Sequence, residues 1–194
     1  PEIEMALIEL YRTTGNRDYL NLAGFFLGKQ NFGKRTQIEG HAVRACYLCC
    51  GGADYYAETG DADSREALDR IWDDLTAGKF YITGGVGVER TAEAFASRYD
   101  LPNETSYAET CAAISNAMWS YRMLGITGDA RYADMMERVL YNGFLSGVSL
   151  NTTQWFYVNP LACWQDYQRK PWFDCTCCPT NVVRTLASLP GYFY

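Results

Sequence analysis

Three copies of one short pattern, Thr-Gly followed by Asn or Asp, divide this chain into paired segments. They occur at Thr14-Gly15-Asn16, Thr59-Gly60-Asp61 and Thr127-Gly128-Asp129. A glycine after a helical pattern readily takes the left-handed conformation that ends a helix. The Asn or Asp that follows is well suited to cap the next helix. Each copy therefore predicts two helices joined by a tight turn, that is, a helical hairpin.

Apolar residues recur at helical spacing beside these turns, as in Tyr132, Met135, Met136 and Val139. This spacing predicts helices over 1–13, 17–29, 40–58, 63–77, 106–126, 130–147 and 177–190. No sustained strand alternation is present. Long irregular stretches over 30–39, 78–105 and 148–176 separate the hairpins, and loops of such length are usually functional. We expect an all-α toroid of helical hairpins with its loops at one end, incomplete because seven helices make only part of a ring.

Composition excludes several classes of protein. With 194 residues, 48% of them hydrophobic, the chain is long enough for one globular domain with a sizeable core. The net charge of −6 argues against nucleic-acid binding, and there is neither a basic run nor a transmembrane stretch to indicate a membrane partner. The chain lacks an initial Met and ends abruptly at Tyr194, so we expect an internal piece of a longer protein. No feature indicates an oligomeric state.

The eight cysteines indicate a compartment. The neighbours Cys49-Cys50 and Cys177-Cys178 fit poorly with a secreted disulfide framework. We therefore expect most of the thiols to be reduced, which favours a cytoplasmic setting. The pattern alone assigns no role to Cys46, Cys49, Cys50 or Cys163.

Two short segments could together hold a metal ion. Cys175, Cys177 and Cys178 lie where the third long loop meets a helix start, and Glu109 and Cys111 lie near the start of the predicted 106–126 helix. Thiolates and a carboxylate can complete four zinc ligands. The spacing leaves other interpretations open, since a first-turn acid and a buried cysteine are ordinary helix features and C-x-C-C lacks the usual two-residue spacing of zinc knuckles.

Two further residues are candidates for chemistry on weaker grounds. His41 is the only histidine and opens a helix, where such a residue more often caps or packs than reacts. Glu93 is one of 23 acids and lies in a loop rich in glycine and aromatic residues. Aromatic residues form 15% of the chain and suit a sugar-binding cleft, although packing between helices is the more ordinary explanation for any one of them.

In combination, five motifs resemble glycoside hydrolase family 127, whose characterised members are largely β-L-arabinofuranosidases. The motifs are Tyr81-Ile82-Thr83-Gly84-Gly85-Val86-Gly87, Glu93-Ala94-Phe95, Asp100-Leu101-Pro102-Asn103, Tyr107-Ala108-Glu109-Thr110-Cys111 and Cys175-Thr176-Cys177-Cys178-Pro179-Thr180-Asn181. The resemblance covers nearly the whole chain. It implies that residues 1–194 form part of a single (α/α)6-barrel catalytic domain, with the remaining helices and the C-terminal β-sandwich domains absent.

The resemblance also implies roles for individual residues. Zinc would be held by Glu109, Cys111, Cys177 and Cys178, with Cys175 beside the site. Cys177 matches the family's nucleophile, and Glu93 matches its general acid/base. His41 matches a residue that contacts the substrate. The implied activity is retaining hydrolysis that removes non-reducing-end β-L-arabinofuranose, or a related plant-wall sugar, from a small carbohydrate or glycan.

Other functions remain open from the residues alone. A zinc-stabilised carbohydrate-binding or structural module without catalysis would need the same four ligands. A thiol redox protein would use Cys177-Cys178 without stoichiometric metal. An (α/α)6 enzyme acting through two carboxylates would leave the cysteines incidental. No motif identifies the sugar or its linkage.

Overall fold

The computed structural model describes residues 2–164 and 166–193, without the side chain of Phe193. Pro1, Gln165 and Tyr194 lie outside the described residues. The predicted helix 1–13 and the predicted domain 1–194 are therefore described without them. The helices α1 to α8 are Ile3–Thr14, Arg17–Lys29, Ala42–Thr59, Ala62–Gly78, Thr110–Thr127, Ala130–Arg138, Cys177–Ser188 and Pro190–Phe193. Within the described ranges the β-structure consists of isolated bridges, as the lack of strand patterns predicts.

The three hairpin turns form as the sequence predicts. At the turn between α3 and α4, Gly60 adopts a φ of 71°. The Asp61 carboxylate then accepts a hydrogen bond of 2.9 Å from the Ser64 amide, which caps α4. The turns at Gly15-Asn16 and Gly128-Asp129 have the same glycine conformation and the same kind of capping bond. These local interactions fix where one helix ends and the next begins.

Helices α3 and α5 form the centre of the structure. Helix α3 packs on α1, α4 and α5, while α5 also packs on α6 and α7. Small residues allow this close approach: a Cβ at Gly51 on α3 would lie 2.8 Å from the Cβ of Glu4 on α1. Cys46, Cys49 and Cys50 lie on α3 with at most 2% of their surface exposed. Their burial raises their thiol pKa values, so these three cysteines pack as small apolar residues.

Much of the aromatic content belongs to this core. The Trp72 ring lies edge-on to Trp119, with centroids 5.2 Å apart, and 4.5 Å from the ring of Tyr132. All three side chains are at most 2% exposed. Packing between helices therefore explains these residues.

A search of the described helices for a membrane-spanning segment found none with the required length and hydropathy.

Two helix predictions need correction. Helix α5 begins at Thr110 rather than at 106, because Ala108 has a φ of 39° and Glu109 is extended and paired with Val158. The predicted 130–147 helix is α-helical only to Arg138. It continues as a π-helix over Val139–Phe144 and a 3-10 turn over Leu145–Gly147. The 78–105 loop packs on this segment so closely that a Cβ at Gly84 would lie 2.7 Å from Val139 Cγ2.

Two smaller differences concern the ends of the other segments. The 30–39 stretch contains a short 3-10 turn over Phe32–Lys34. The predicted helix 177–190 ends at Ser188, and a separate short helix follows over Pro190–Phe193. Neither difference alters which elements reach the candidate site.

Candidate active site and metal cluster

A cavity of about 470 Å³ opens where the long loops meet the N-terminal ends of α3, α5 and α7. It brings together nearly all of the residues that the sequence singled out for chemistry. The lining side chains include His41, Arg44, Tyr47, Glu93, Glu109, Cys111, Tyr157, Cys175, Cys177, Asn181 and Arg184. Cys178 lies immediately behind this wall, fully buried.

Four donor atoms, one each from Glu109, Cys111, Cys177 and Cys178, lie within 4.8 Å of one another. The Cys111 and Cys178 sulfurs are 3.4 Å apart, and those of Cys177 and Cys178 are 3.8 Å apart. Glu109 Oε1 is 3.6 Å from both Cys177 Sγ and Cys178 Sγ. Three thiols and a carboxylate gathered this closely could hold a metal ion.

The ends of two helices position this cluster. Glu109 is the N-cap residue of α5 and Cys111 follows in its first turn, while Cys177 and Cys178 are the first two residues of α7. Helix N-termini carry a partial positive charge that stabilises thiolates and carboxylates. The 148–176 loop is tied to α5 by a hydrogen bond of 2.9 Å from the Thr110 amide to the Tyr157 carbonyl.

The pKa values of the four groups in the cluster shift in different directions. Contacts from the thiols of Cys111 and Cys178 lower the pKa of Cys177 well below that of a free thiol. The contact with Cys177 raises the pKa of Cys111, and contacts with Cys111 and Cys177 raise that of Cys178. Burial, with the nearby charges of Cys177 and Glu93, raises the pKa of Glu109 to about 8. The four groups therefore differ in acidity, and a cation bound by them would displace the protons that they carry.

Glu93 lies on another wall of the cavity. Its Oε2 is 2.8 Å from His41 Nε2, and its Oε1 accepts a hydrogen bond of 2.6 Å from the Tyr107 hydroxyl. The Glu93 backbone has a φ of 51°, which is unusual for a residue with a side chain. It is held there by the Ala42 amide, which donates to the Glu93 carbonyl at 2.8 Å. The start of α3 therefore fixes His41 and Glu93 together.

Two tyrosines of the site were not singled out from the sequence. The Tyr157 hydroxyl lies 3.2 Å from Cys177 Sγ, and Tyr107 contacts Glu93. Tyr107 stands two positions before Glu109 in a motif that carries the family resemblance, which is a signal that could have found it. Tyr157 lies in the aromatic-rich 148–176 loop and has no such signal.

The remaining cysteines of the loop region have different positions. Cys175 is exposed, with its sulfur 3.6 Å from Cys177 Sγ and 3.7 Å from the Tyr157 hydroxyl. It is a neighbour of the four-donor cluster and not one of its members. Cys163 is exposed and lines a separate surface cavity beside Tyr167.

Comparison with known proteins identifies the family. The model of the β-L-arabinofuranosidase GH127 catalytic domain matches residues 1–191. A curated non-reducing end β-L-arabinofuranosidase of Bifidobacterium longum subsp. longum is 34% identical over 240 residues, covering 100% of this chain and 36% of the relative. The chain thus spans about a third of that protein's length.

Solved structures agree with this assignment. A GH127 β-arabinofuranosidase superposes with a TM-score of 0.96 at 47% identity, covering 98% of this chain and 32% of the other. A GH127 β-L-arabinofuranosidase from Geobacillus stearothermophilus T6 gives a TM-score of 0.93 at 37% identity, covering 100% and 38%. The predicted all-α fold of the (α/α)-barrel type is confirmed, and the chain belongs to the catalytic domain of glycoside hydrolase family 127.

Proposed function

We propose that the protein containing this chain is a retaining glycoside hydrolase with Cys177 as nucleophile and Glu93 as general acid/base. Its substrate would be a glycan ending in β-L-arabinofuranose or a related plant-wall sugar. The observation that carries the proposal is the shared cavity, which is lined by both the Cys177 thiol and, on another wall, the Glu93 carboxylate. The choice of sugar is supported by the names of the relatives, which are β-arabinofuranosidases.

The donor cluster fits zinc. Bonds of about 2.3 Å to sulfur and about 2.1 Å to oxygen predict tetrahedral S–S and S–O edges of about 3.8 Å and about 3.6 Å. The Cys177–Cys178 sulfur distance is 3.8 Å, and Glu109 Oε1 is 3.6 Å from each of these sulfurs, while the Cys111 and Cys178 sulfurs are closer than this edge at 3.4 Å. Glu109, Cys111, Cys177 and Cys178 would therefore hold the ion. When bound, zinc would keep the cysteines deprotonated at neutral pH rather than supply hydroxide.

The reaction would proceed in two displacements. In the first, the Cys177 thiolate attacks the anomeric carbon while Glu93 gives its proton to the departing glycosidic oxygen. In the second, Glu93 takes a proton from water, whose oxygen attacks the same carbon and breaks the carbon–sulfur bond. The Tyr157 hydroxyl, 3.2 Å from the sulfur, can donate to the thiolate before attack and after release.

Two variants of the full-length protein test these roles on aryl β-L-arabinofuranosides. Cys177→Ser should abolish turnover, because a hydroxyl is far less acidic than a thiol at this position. Glu93→Gln should slow hydrolysis most for poor leaving groups, which need the proton, and least for good ones.

Glu89→Gln is the matched control, since it removes an exposed acid from the same loop. It should leave turnover unchanged. Equal losses for good and poor leaving groups in Glu93→Gln would refute the acid role. A wild-type protein that binds zinc but releases no sugar from any furanoside would favour the alternative, a zinc-stabilised carbohydrate-binding or structural module.

A further inference from the structure

The cavity contains a second group of metal-ligating side chains. One donor atom each from His41, Glu93 and Glu109 lies within 4.8 Å of the others. An imidazole and two carboxylates form a ligand set that zinc accepts, with a fourth position left for water. These side chains belong to the α3 start, the 78–105 loop and the α5 start, so the fold already holds them together.

Glu109 is shared between this group and the cysteine cluster. Its Oε1 lies 3.6 Å from both Cys177 Sγ and Cys178 Sγ. The residue is only 2% exposed, and its Oε2 is buried without a hydrogen-bond partner among the described residues. An unpaired buried carboxylate oxygen is costly, and a second cation would offset that cost. A carboxylate that joins two ions about 3.5–4 Å apart is a common feature of two-metal sites.

The affinity of this group for zinc should be lower than that of the cysteine cluster. A ligating histidine normally donates its other ring N–H to a second group. His41 Nδ1 is buried without such a partner among the described residues. In addition, Glu93 must exchange its 2.8 Å contact with His41 Nε2 for a bond to the ion.

We propose that His41, Glu93 and Glu109 form a second, weaker zinc site, which fills only in excess Zn²⁺ and inhibits the enzyme. The inhibition rests on the proposed function, because an ion bound to Glu93 occupies the carboxylate that delivers and accepts the catalytic proton. It also occupies space that the sugar needs. Zinc would thus activate as the first equivalent and inhibit as the second.

The test measures zinc bound to the full-length protein by equilibrium dialysis against buffered free Zn²⁺, followed by elemental analysis. We expect two saturable equivalents in the wild type. His41→Asn and Glu93→Gln should each retain the first equivalent and lose the second, and Glu89→Gln, which removes an exposed acid, should bind both. A single equivalent in the wild type, or a second equivalent that survives in both His41→Asn and Glu93→Gln, would overturn the proposal.

Activity provides the second measurement. Filling the second site should lower wild-type turnover by about 100-fold, the usual contribution of general acid–base catalysis. In His41→Asn the ratio of activities in excess and in equimolar Zn²⁺ should stay near unity, whatever the variant's own rate. An equal zinc inhibition in His41→Asn would refute the site. The dialysis result does not depend on Cys177 acting as nucleophile, so the two proposals can fail separately.

Discussion

Glu93 is held at both of its carboxylate oxygens, by the Tyr107 hydroxyl and by His41. Tyr107 is only 5% exposed, and burial raises its pKa, so its hydroxyl remains a donor at neutral pH. Under the proposed mechanism, a carboxylate fixed in this way has little freedom to rotate away from the leaving group that it protonates. Orientation of this kind contributes to the rate of the chemical step rather than to substrate binding.

Replacing Tyr107 by Phe tests this positioning role. We expect kcat to fall about 10- to 100-fold, because a hydrogen bond to a charged group is worth about 1.5–3 kcal/mol, and we expect KM to change little. Tyr81→Phe is the control, since Tyr81 is equally buried and its hydroxyl binds the Pro102 carbonyl away from the site. Steady-state kinetics on a substrate with a poor leaving group measures kcat and KM for both variants. A raised KM with unchanged kcat would contradict the interpretation.

The candidate residues differ in how far the sequence reveals them. The cysteines at 175, 177 and 178 can be identified as candidates from their type and spacing. Glu109-Thr110-Cys111 can be identified from its place near a predicted helix start. Glu93 is one acid among 23 and emerges only through the family resemblance. Tyr107 and Tyr157 are two of fifteen tyrosines, and their contacts depend on the path of loops that have no periodic pattern.

At the scale of elements, the glycine turns make a direct stability prediction. Gly60→Ala should destabilise the protein by about 1 kcal/mol, because Gly60 has a φ of 71°. No atom lies within 4 Å of the added Cβ, so backbone strain is the cause. Gly125→Ala is the matched control: its Cβ also meets nothing within 4 Å, but it lies inside α5 and should stabilise by about 0.5–1 kcal/mol. Urea unfolding midpoints compare the two, and equal shifts would contradict the argument.

Helix pairs are predictable here because each turn is set by three or four neighbouring residues. The start of α5 cannot be predicted in this way, because it depends on Glu109 pairing with Val158 in a distant loop. The π-helical segment over Val139–Phe144 is likewise in close contact with a distant loop, at Gly84, which no local pattern reveals. Local patterns thus determine the helices, while contacts between distant segments determine where the site-bearing helix begins.

At the scale of the whole molecule, the proposed zinc ion would join two parts of the chain that are far apart in sequence. Chelation under reducing conditions should therefore speed hydrogen exchange in 148–176 and in the first turn of α7. Exchange in α3 and α4 should stay unchanged, because they are held by the apolar core. Hydrogen–deuterium exchange read by mass spectrometry measures both regions. A uniform increase across all helices would show instead that the whole fold depends on the metal.

The distance along the chain between the two halves of the cluster also sets an order of events during synthesis. Glu109 and Cys177, whose side chains meet at 3.6 Å, are separated by 68 positions. The ribosome therefore releases Glu109 and Cys111 seconds before their partners, at typical rates of about 5–20 residues per second. The nascent helices α1 to α5 would then pack without help from the proposed ion, and its capture would be a late step in the biogenesis of this domain.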